Sequence, residues 1–196
     1  MSRLDPGYLS AAELREEGFA AVGENVSIAG NCTIIGCENI ELGSNVRIDG
    51  YTTIVAADGK VRIGSNIHIG AYCLLSGGDG IEMHDFSGLS QGVKIYSRTD
   101  DYSGEHLTNP TIPASFTGGK HGKVTLGRHV IIGASSVILP GLSIGEGSSV
   151  GALSLVTRDL QEWGVYAGRP AKKIRSRSRA LLDLEREFLA ATKSSR

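Results

Sequence analysis

Residues 126–161 read LGRHVI IGASSV ILPGLS IGEGSS VGALSL VTRDLQ, six hexapeptides in a row, each opened by an aliphatic residue. Strand alternation repeats every two residues and a helical stripe at i, i+3 and i+4, so neither produces a period of six. The same beat runs earlier in the chain. VGENVS, IAGNCT and IIGCEN follow from Val22, LGSNVR, IDGYTT and IVAADG from Leu42, IGSNIH, IGAYCL and LSGGDG from Ile63, and MHDFSG, LSQGVK and IYSRTD from Met83. The shared template is an aliphatic residue, often Gly or Ala, two polar or small residues, a small or β-branched residue, and one unrestricted position.

The breaks in the beat carry the geometry. Ile40-Glu41, Lys60 to Arg62, Ile81-Glu82 and Asp101 to Thr125 each follow three complete hexapeptides. Eighteen residues therefore make one turn of a three-faced prism, and every insertion leaves from the same corner. Each unit is one short strand and a bend with its aliphatic side chain toward the axis, and such units bury a core only by stacking. The sequence predicts an all-β solenoid of five to six triangular coils over 22–175, with one excursion loop at 101–125. A helical segment precedes it at 1–21, and a C-terminal helix and tail follow at 176–196. Ser10 to Glu13 is a capping-box pattern that opens a helix up to about Glu17, where Gly18 stops it. Leu181, Leu184, Phe188 and Leu189 fall on one helical stripe.

Composition agrees with a bending chain. Gly is 27 of 196 residues, about twice the ordinary ~7%, as frequent bends require. The net charge of −1 supplies no basic field for nucleic acid. No apolar run approaches the roughly 20 residues of a membrane span, and the opening MSRLDPGYLS lacks the apolar stretch of a signal peptide, so a cytoplasmic protein is expected. Cys32, Cys37 and Cys73 have no CxxC spacing and read as buried small hydrophobes.

From Val22 to about Arg175 the phased hexapeptides resemble the hexapeptide-repeat acyltransferases, and in particular their sugar O- and N-acetyltransferase branch. The resemblance implies a left-handed parallel β-helix, a hand that spacing cannot supply because β-crossovers are otherwise nearly always right-handed. It implies direct transfer of an acetyl group from acetyl-CoA to a sugar, without a metal, and a homotrimer in which acceptor and acetyl-CoA meet between subunits. Gly168-Arg169-Pro170-Ala171-Lys172-Lys173-Ile174-Arg175 is similar to the GxPAKxI run of that branch, which implies Lys172 and Arg175 as contacts of the coenzyme A phosphates. VGALSLVTR, 150–158, and IGASSV one coil earlier are similar to the stretch along the pantetheine arm, implying Ala152, Thr157, Arg158 and Ala134.

An excursion of 25 residues from a tightly wound prism exceeds ordinary connections and is functional or disordered as a rule. This one is not of low complexity. It carries Asp101, Tyr102, Glu105, His106, Asn109 and His121, with Pro110 and Pro113 to stiffen it. Where the sugar O-acetyltransferases of the family place a catalytic His, at the end of the strand entering the loop, this chain has Asp100. A hydroxyl acceptor needs a general base, typically His; an amine is nucleophilic once neutral, and a carboxylate can orient it. Asp100 and Asp101, close to Glu105, suit a cationic amine, while His106 or His121 would serve a hydroxyl, His106 foremost. Glu105, Tyr102 and Asn109 are expected at the acceptor, and His68, at an outward position one coil below, could line the same cleft.

The expected activity is acetylation of an amino sugar or nucleotide-linked sugar of a bacterial surface polysaccharide pathway, with O-acetylation by a loop His as the alternative. A non-catalytic scaffold would not need the basic GRPAKKIR run. A zinc enzyme on this fold would need three His at coil-to-coil spacing, and no HxxxxH pattern is present.

Overall fold

A computed structural model describes residues 5–194. Three parallel sheets form the walls of a prism, and the chain visits them in rotation. The second coil contributes Ile40–Leu42 to the first face, Val46–Ile48 to the second and Thr53–Val55 to the third. Each strand lies in register with its equivalent one coil on, as in Val46 opposite Ile67 and Ile48 opposite Ile69.

Six complete coils are present, and a seventh is begun by Leu160, which bridges to Ile144, and by the strand Gly164–Gly168. The expected five to six coils is therefore short by about one. The beat slips by two residues at its end: Leu160 falls at the fifth place of VTRDLQ but packs inward above Ile144 as the first residue of the seventh coil, 5% exposed.

The opening residue of every hexapeptide from Leu42 to Val156 faces the axis and is at most 3% exposed. The fifth position is buried beside it in most units, which explains why it is small or β-branched there; Asp58, Asp79 and Thr99, at the corner from which the excursion leaves, are the exceptions. Where it is a hydroxyl, a carbonyl satisfies it in most units: Thr52 donates to Gly70 at 3.1 Å, Ser136 to Gly151 at 3.0 Å and Ser154 to Gly151 at 2.7 Å, whereas the Ser87 hydroxyl is buried without a partner. Left unpaired, each buried hydroxyl would cost about 1–3 kcal/mol.

Glycine carries the bend in only some units. The left-handed bend falls at the fourth position, where Gly92, Gly141 and Gly147 occupy it and where Asn25, Asn45, Tyr51, Asn66, Tyr72 and other non-glycine residues carry it elsewhere. Asparagine tolerates that region because its short amide bonds locally, and here Asn25 donates to Asn45 and Asn45 to Asn66, each at 3.1 Å. Glycine is also recurrent at the second position, where coils approach most closely. A Cβ on Gly43 would stand 2.6 Å from the backbone of Gly64, and one on Gly127 2.7 Å from that of Glu146.

Both ends are closed. Helix α1, Ala11–Glu16, has the capping box expected of it, Ser10 and Glu13 bonding each other's backbone amides, and inserts Leu14, 2% exposed, into the first coil. At the other end a hairpin of Gly164–Gly168 and Ala171–Ser176 extends the second sheet. Helix α2, Leu181–Ser194, follows. Its Glu185 pairs with Arg128 and His129, and its Phe188 meets Phe86 edge-on. His129 is thus a buried anchor. Leu184, Phe188 and Leu189 remain exposed. Among the described residues no helix is long and apolar enough to cross a membrane.

Candidate active site

Ser97 is the last coil residue before the excursion. It is fully buried, its hydroxyl donates to the carbonyl of Ser76 at 2.8 Å, and its oxygen accepts the amide of Asp79 at 2.9 Å. The next residues, Arg98–Asp100, pair antiparallel with the returning Gly119–His121, Arg98 opposite His121 and Asp100 opposite Gly119. Only glycine fits at 119, since a Cβ there would overlap the Thr99 carbonyl oxygen. Side chains directly opposite and two residues apart share one side of such a ribbon. Arg98, Asp100 and His121 therefore project together.

They project into a cleft of about 1030 Å³ between the hairpin, the excursion and the third face. The excursion lines it with Tyr102, Asn109, Pro110 and Ile112, and the third face with Ser76, Tyr96, Val137, Leu139 and Leu155. The cleft thus has a largely apolar floor and a charged roof. The first face offers no such floor: its outward positions carry Glu41, Arg62 and Glu82, which pair with one another and with Lys123.

One connected series of charges fixes the roof. His121 Nδ1 lies 2.9 Å from Asp79 Oδ2, Asp79 Oδ1 lies 2.9 Å from Arg98 Nη2, and Arg98 Nη1 lies 2.9 Å from Asp58 Oδ2. The Arg98 guanidinium, followed by His121, holds the Asp79 carboxyl below the usual carboxylate range.

The structure divides the expected acceptor residues. Asp100, Tyr102 and Asn109 line the cleft, and Asp100 accepts the Asn109 amide at 3.4 Å. Asp101, Glu105 and His106 do not line it. Asp101 accepts the Ser103 amide and hydroxyl, each at 2.7 Å, and the His106 amide at 2.9 Å. Ser103 and then His106 hold its carboxyl well below the usual range. The His106 ring stands 3.4 Å from Asp101 and packs on Gly118, where a Cβ would lie 2.7 Å from it. Among the loop histidines it is His121 that faces the cleft. His68 is not at the cleft: its strand Ile67–Ile69 belongs to the second face, and its Nε2 bonds Asp49, which also holds Arg47 and Tyr8.

The expected cofactor residues flank the third face on both edges. Ala134 and Ala152 stack at the corner between the second and third faces, where Leu153 donates to the Ala134 carbonyl at 2.8 Å. Directly above, Arg169 donates to the Leu153 carbonyl at 2.6 Å. Lys172 and Arg175 stand exposed on the closing hairpin opposite Ala167 and Val165. Thr157 and Arg158 lie at the far edge, beyond the strand Leu155–Val156.

Arg98, Asp79 and Asp58 were not singled out in the sequence, although a signal existed. Tyr96 stands opposite Ser76 one coil below, so the residues just after each, Arg98 and Asp79, had to meet at the corner. Among the described residues no three His, Cys, Asp or Glu side chains converge on a point. Cys73 is 1% exposed, and burial pushes its thiol up to about 11, which keeps it protonated.

No family model matches the chain. It is 41% identical over 181 residues, 92% of its length and 94% of the relative's, to a dTDP-4-amino-4,6-dideoxy-D-glucose acyltransferase of Escherichia coli. It superposes with a TM-score of 0.92 on a serine variant of AntD, an N-acyltransferase from Bacillus cereus, in complex with dTDP-4-amino-4,6-dideoxyglucose and coenzyme A. That match is 45% identical and covers 94% of this chain and 98% of the other. AntD in complex with dTDP and 3-hydroxybutyryl-CoA matches with the same TM-score, 43% identical over 97% and 100% of the two chains. AntD has further been solved with an aspartate replaced, ten residues after that serine.

Proposed function

This chain belongs to the hexapeptide-repeat acyltransferase family, the left-handed β-helix enzymes that acylate sugars, and from that membership we propose that it transfers an acetyl group from acetyl-CoA to the amine of a dTDP-linked 4-amino-4,6-dideoxy sugar. The observation that carries this reading is the end-to-end match to an enzyme solved with that amino sugar and coenzyme A, combined with a carboxylate, Asp100, on the roof of the cleft. An ammonium acceptor is drawn to and oriented by a carboxylate, whereas a hydroxyl gains nothing from one unless a base stands by.

Two Ser–Asp pairs in this chain are ten residues apart, Ser90–Asp100 and Ser149–Asp159. Only the first is compatible with a match that covers nearly all of both chains. Ser90 sits at one edge of the third face and Asp100 beyond the other, with the strand Lys94–Tyr96 between them. At roughly 3.3 Å per residue the face is about 20 Å wide. Both residues reach one reacting carbonyl only when Ser90 of one subunit faces Asp100 of the next. A closed threefold arrangement supplies that pairing at every site, and we assign the protein as a homotrimer.

Within such a site the neutral amine attacks the thioester carbonyl, the C–S bond breaks and coenzyme A leaves. Val137, Leu139 and Leu155 keep water from the thioester and receive the acyl chain. Lys172 and Arg175 hold the cofactor phosphates, with Ala134 and Ala152 admitting the pantetheine arm beside the backbone. No acyl-enzyme is involved. Acetyl-CoA and nucleotide sugars are cytoplasmic metabolites, which places the enzyme there, and its product is an activated sugar suited to a glycosyltransferase that builds surface polysaccharide. A hydroxyacyl donor is a second reading, supported by the relative solved with 3-hydroxybutyryl-CoA.

The test is incubation of the purified protein with acetyl-CoA and either dTDP-4-amino-4,6-dideoxyglucose or its 4-hydroxy counterpart, reading thiol release and product mass. The amino sugar is expected to gain one acetyl group and the hydroxy sugar none. Acetylation of the hydroxy sugar alone would replace this reading with O-acetylation.

A further inference from the structure

We infer that His121 is the proton acceptor of the acyl transfer and that Asp79 is the residue that positions it, an assignment that rests on the function proposed above. His121 lines the cleft, on the same side of the hairpin as Asp100, and its Nδ1 is held by Asp79 at 2.9 Å. With Nδ1–H donated to a carboxylate, Nε2 is the ring's free nitrogen and the one available to a ligand. Asp79 is fixed in turn by two further groups. Arg98, tied to Asp58, holds its carboxylate at 2.9 Å, and the Ser97 hydroxyl holds its amide. A histidine on a loop strand is thereby mounted on the rigid corner of the coil beneath it, the arrangement a proton-handling group needs.

The division of labour follows from charge. Asp100, with no imidazole bonded to it, attracts the ammonium form of the acceptor. That nitrogen must lose a proton before its lone pair can attack, and Nε2 of His121 takes it and passes it to solvent. The C–N bond then forms as the C–S bond breaks, and the second nitrogen proton ends on the coenzyme A sulfur.

The experiment measures steady-state kinetics of the parent, His121→Ala, His121→Asn, Asp79→Asn and the double variant Asp79→Asn/His121→Ala, with melting temperatures alongside. Both His121 variants are expected to lose roughly 10²–10⁴-fold in kcat with the KM for acetyl-CoA and for the amino sugar within about twofold. Added imidazole should restore part of the turnover of His121→Ala but not of Asp100→Asn. Asp79→Asn is expected to lower kcat less than His121→Ala in the parent background and not at all in the His121→Ala background, because it acts through the imidazole. Equal losses in both backgrounds would mark Asp79 as merely structural. A His121→Ala enzyme within twofold of an active parent would overturn the inference while leaving the functional reading intact. An inactive parent would overturn both.

Discussion

The Asp101 carboxylate accepts the backbone amide of His106 at 2.9 Å, so the excursion is pinned to itself at its start, in addition to the ties that Arg98 and His121 make to the prism. Ser103, and then His106, hold that carboxyl below its ordinary range, so the unfolded loop takes up a proton at higher pH than the folded one. The ordering contribution is complete above the unfolded value of about 4 and is lost as pH falls through the lower folded value. In an NMR titration the carboxyl carbon of Asp101, to which the Ser103 and His106 amides donate, should hold its shift from neutral pH down to about pH 4 and show protonation only below it. Movement that begins at pH 6 would contradict the assignment. Asp101→Asn should loosen these amides at neutral pH and leave the coils protected.

Asp100→Asn should lower kcat/KM for the amino sugar by roughly 10²–10⁴-fold. Its side chain is exposed and makes one long bond to the Asn109 amide, so the melting temperature should change little. A large loss of stability with full activity per folded molecule would recast Asp100 as a loop anchor.

Subunit sharing can be tested by mixing. Ser90→Ala and Asp100→Asn enzymes, each inactive as pure trimers, should regain activity after co-refolding, because some interfaces then combine an intact Ser90 with an intact Asp100. Light scattering should report three chains per particle. A monomer at micromolar concentration, or no recovery on mixing, would remove the shared site.

Replacing both Lys172 and Arg175 with Ala should weaken acetyl-CoA binding, measured by calorimetry, while kcat at saturation stays near the parent value. These groups contact phosphates that do not change during the reaction, so they stabilise ground and transition states alike. Unaltered affinity would mean that the cofactor takes another route over the third face.

The prism was legible because its rule is local: one inward aliphatic residue every six, and insertions at one corner only. The seventh coil was not, because Leu160 arrives two residues early and Trp163, 6% exposed, takes the bend that Gly147 makes one coil earlier. Asp100, Tyr102 and Asn109 could be placed at the cleft from the strand that precedes the loop. His106 ranks ahead of His121 in the sequence, yet it is His121 that lines the cleft, since what distinguishes them is the partner each finds. His106 turns to Asp101 within its own loop, and His121 to Asp79, 42 residues away. His68 was assigned by coil height alone, which ignores which of three faces a strand belongs to.

Coil stacked on coil in register is also the geometry of a growing cross-β fibre, in which each new layer templates the next. The ladder stops here because its terminal rungs are occupied. At the first coil Leu9 donates to the Ile28 carbonyl at 2.8 Å and Gly30 to that of Gly7 at 3.0 Å, while Leu14 plugs the bore. At the last, the chain turns back antiparallel as Ala171–Ser176, whose outer edge carries Lys172, Lys173 and Arg175. Strand edges left bare invite pairing with another chain, and charge there discourages it. A chain cut back beyond Leu14 should therefore associate through its bared first coil and stop at end-to-end pairs, because the far end stays covered, and these short terminal segments are what give a repeating structure a finite length.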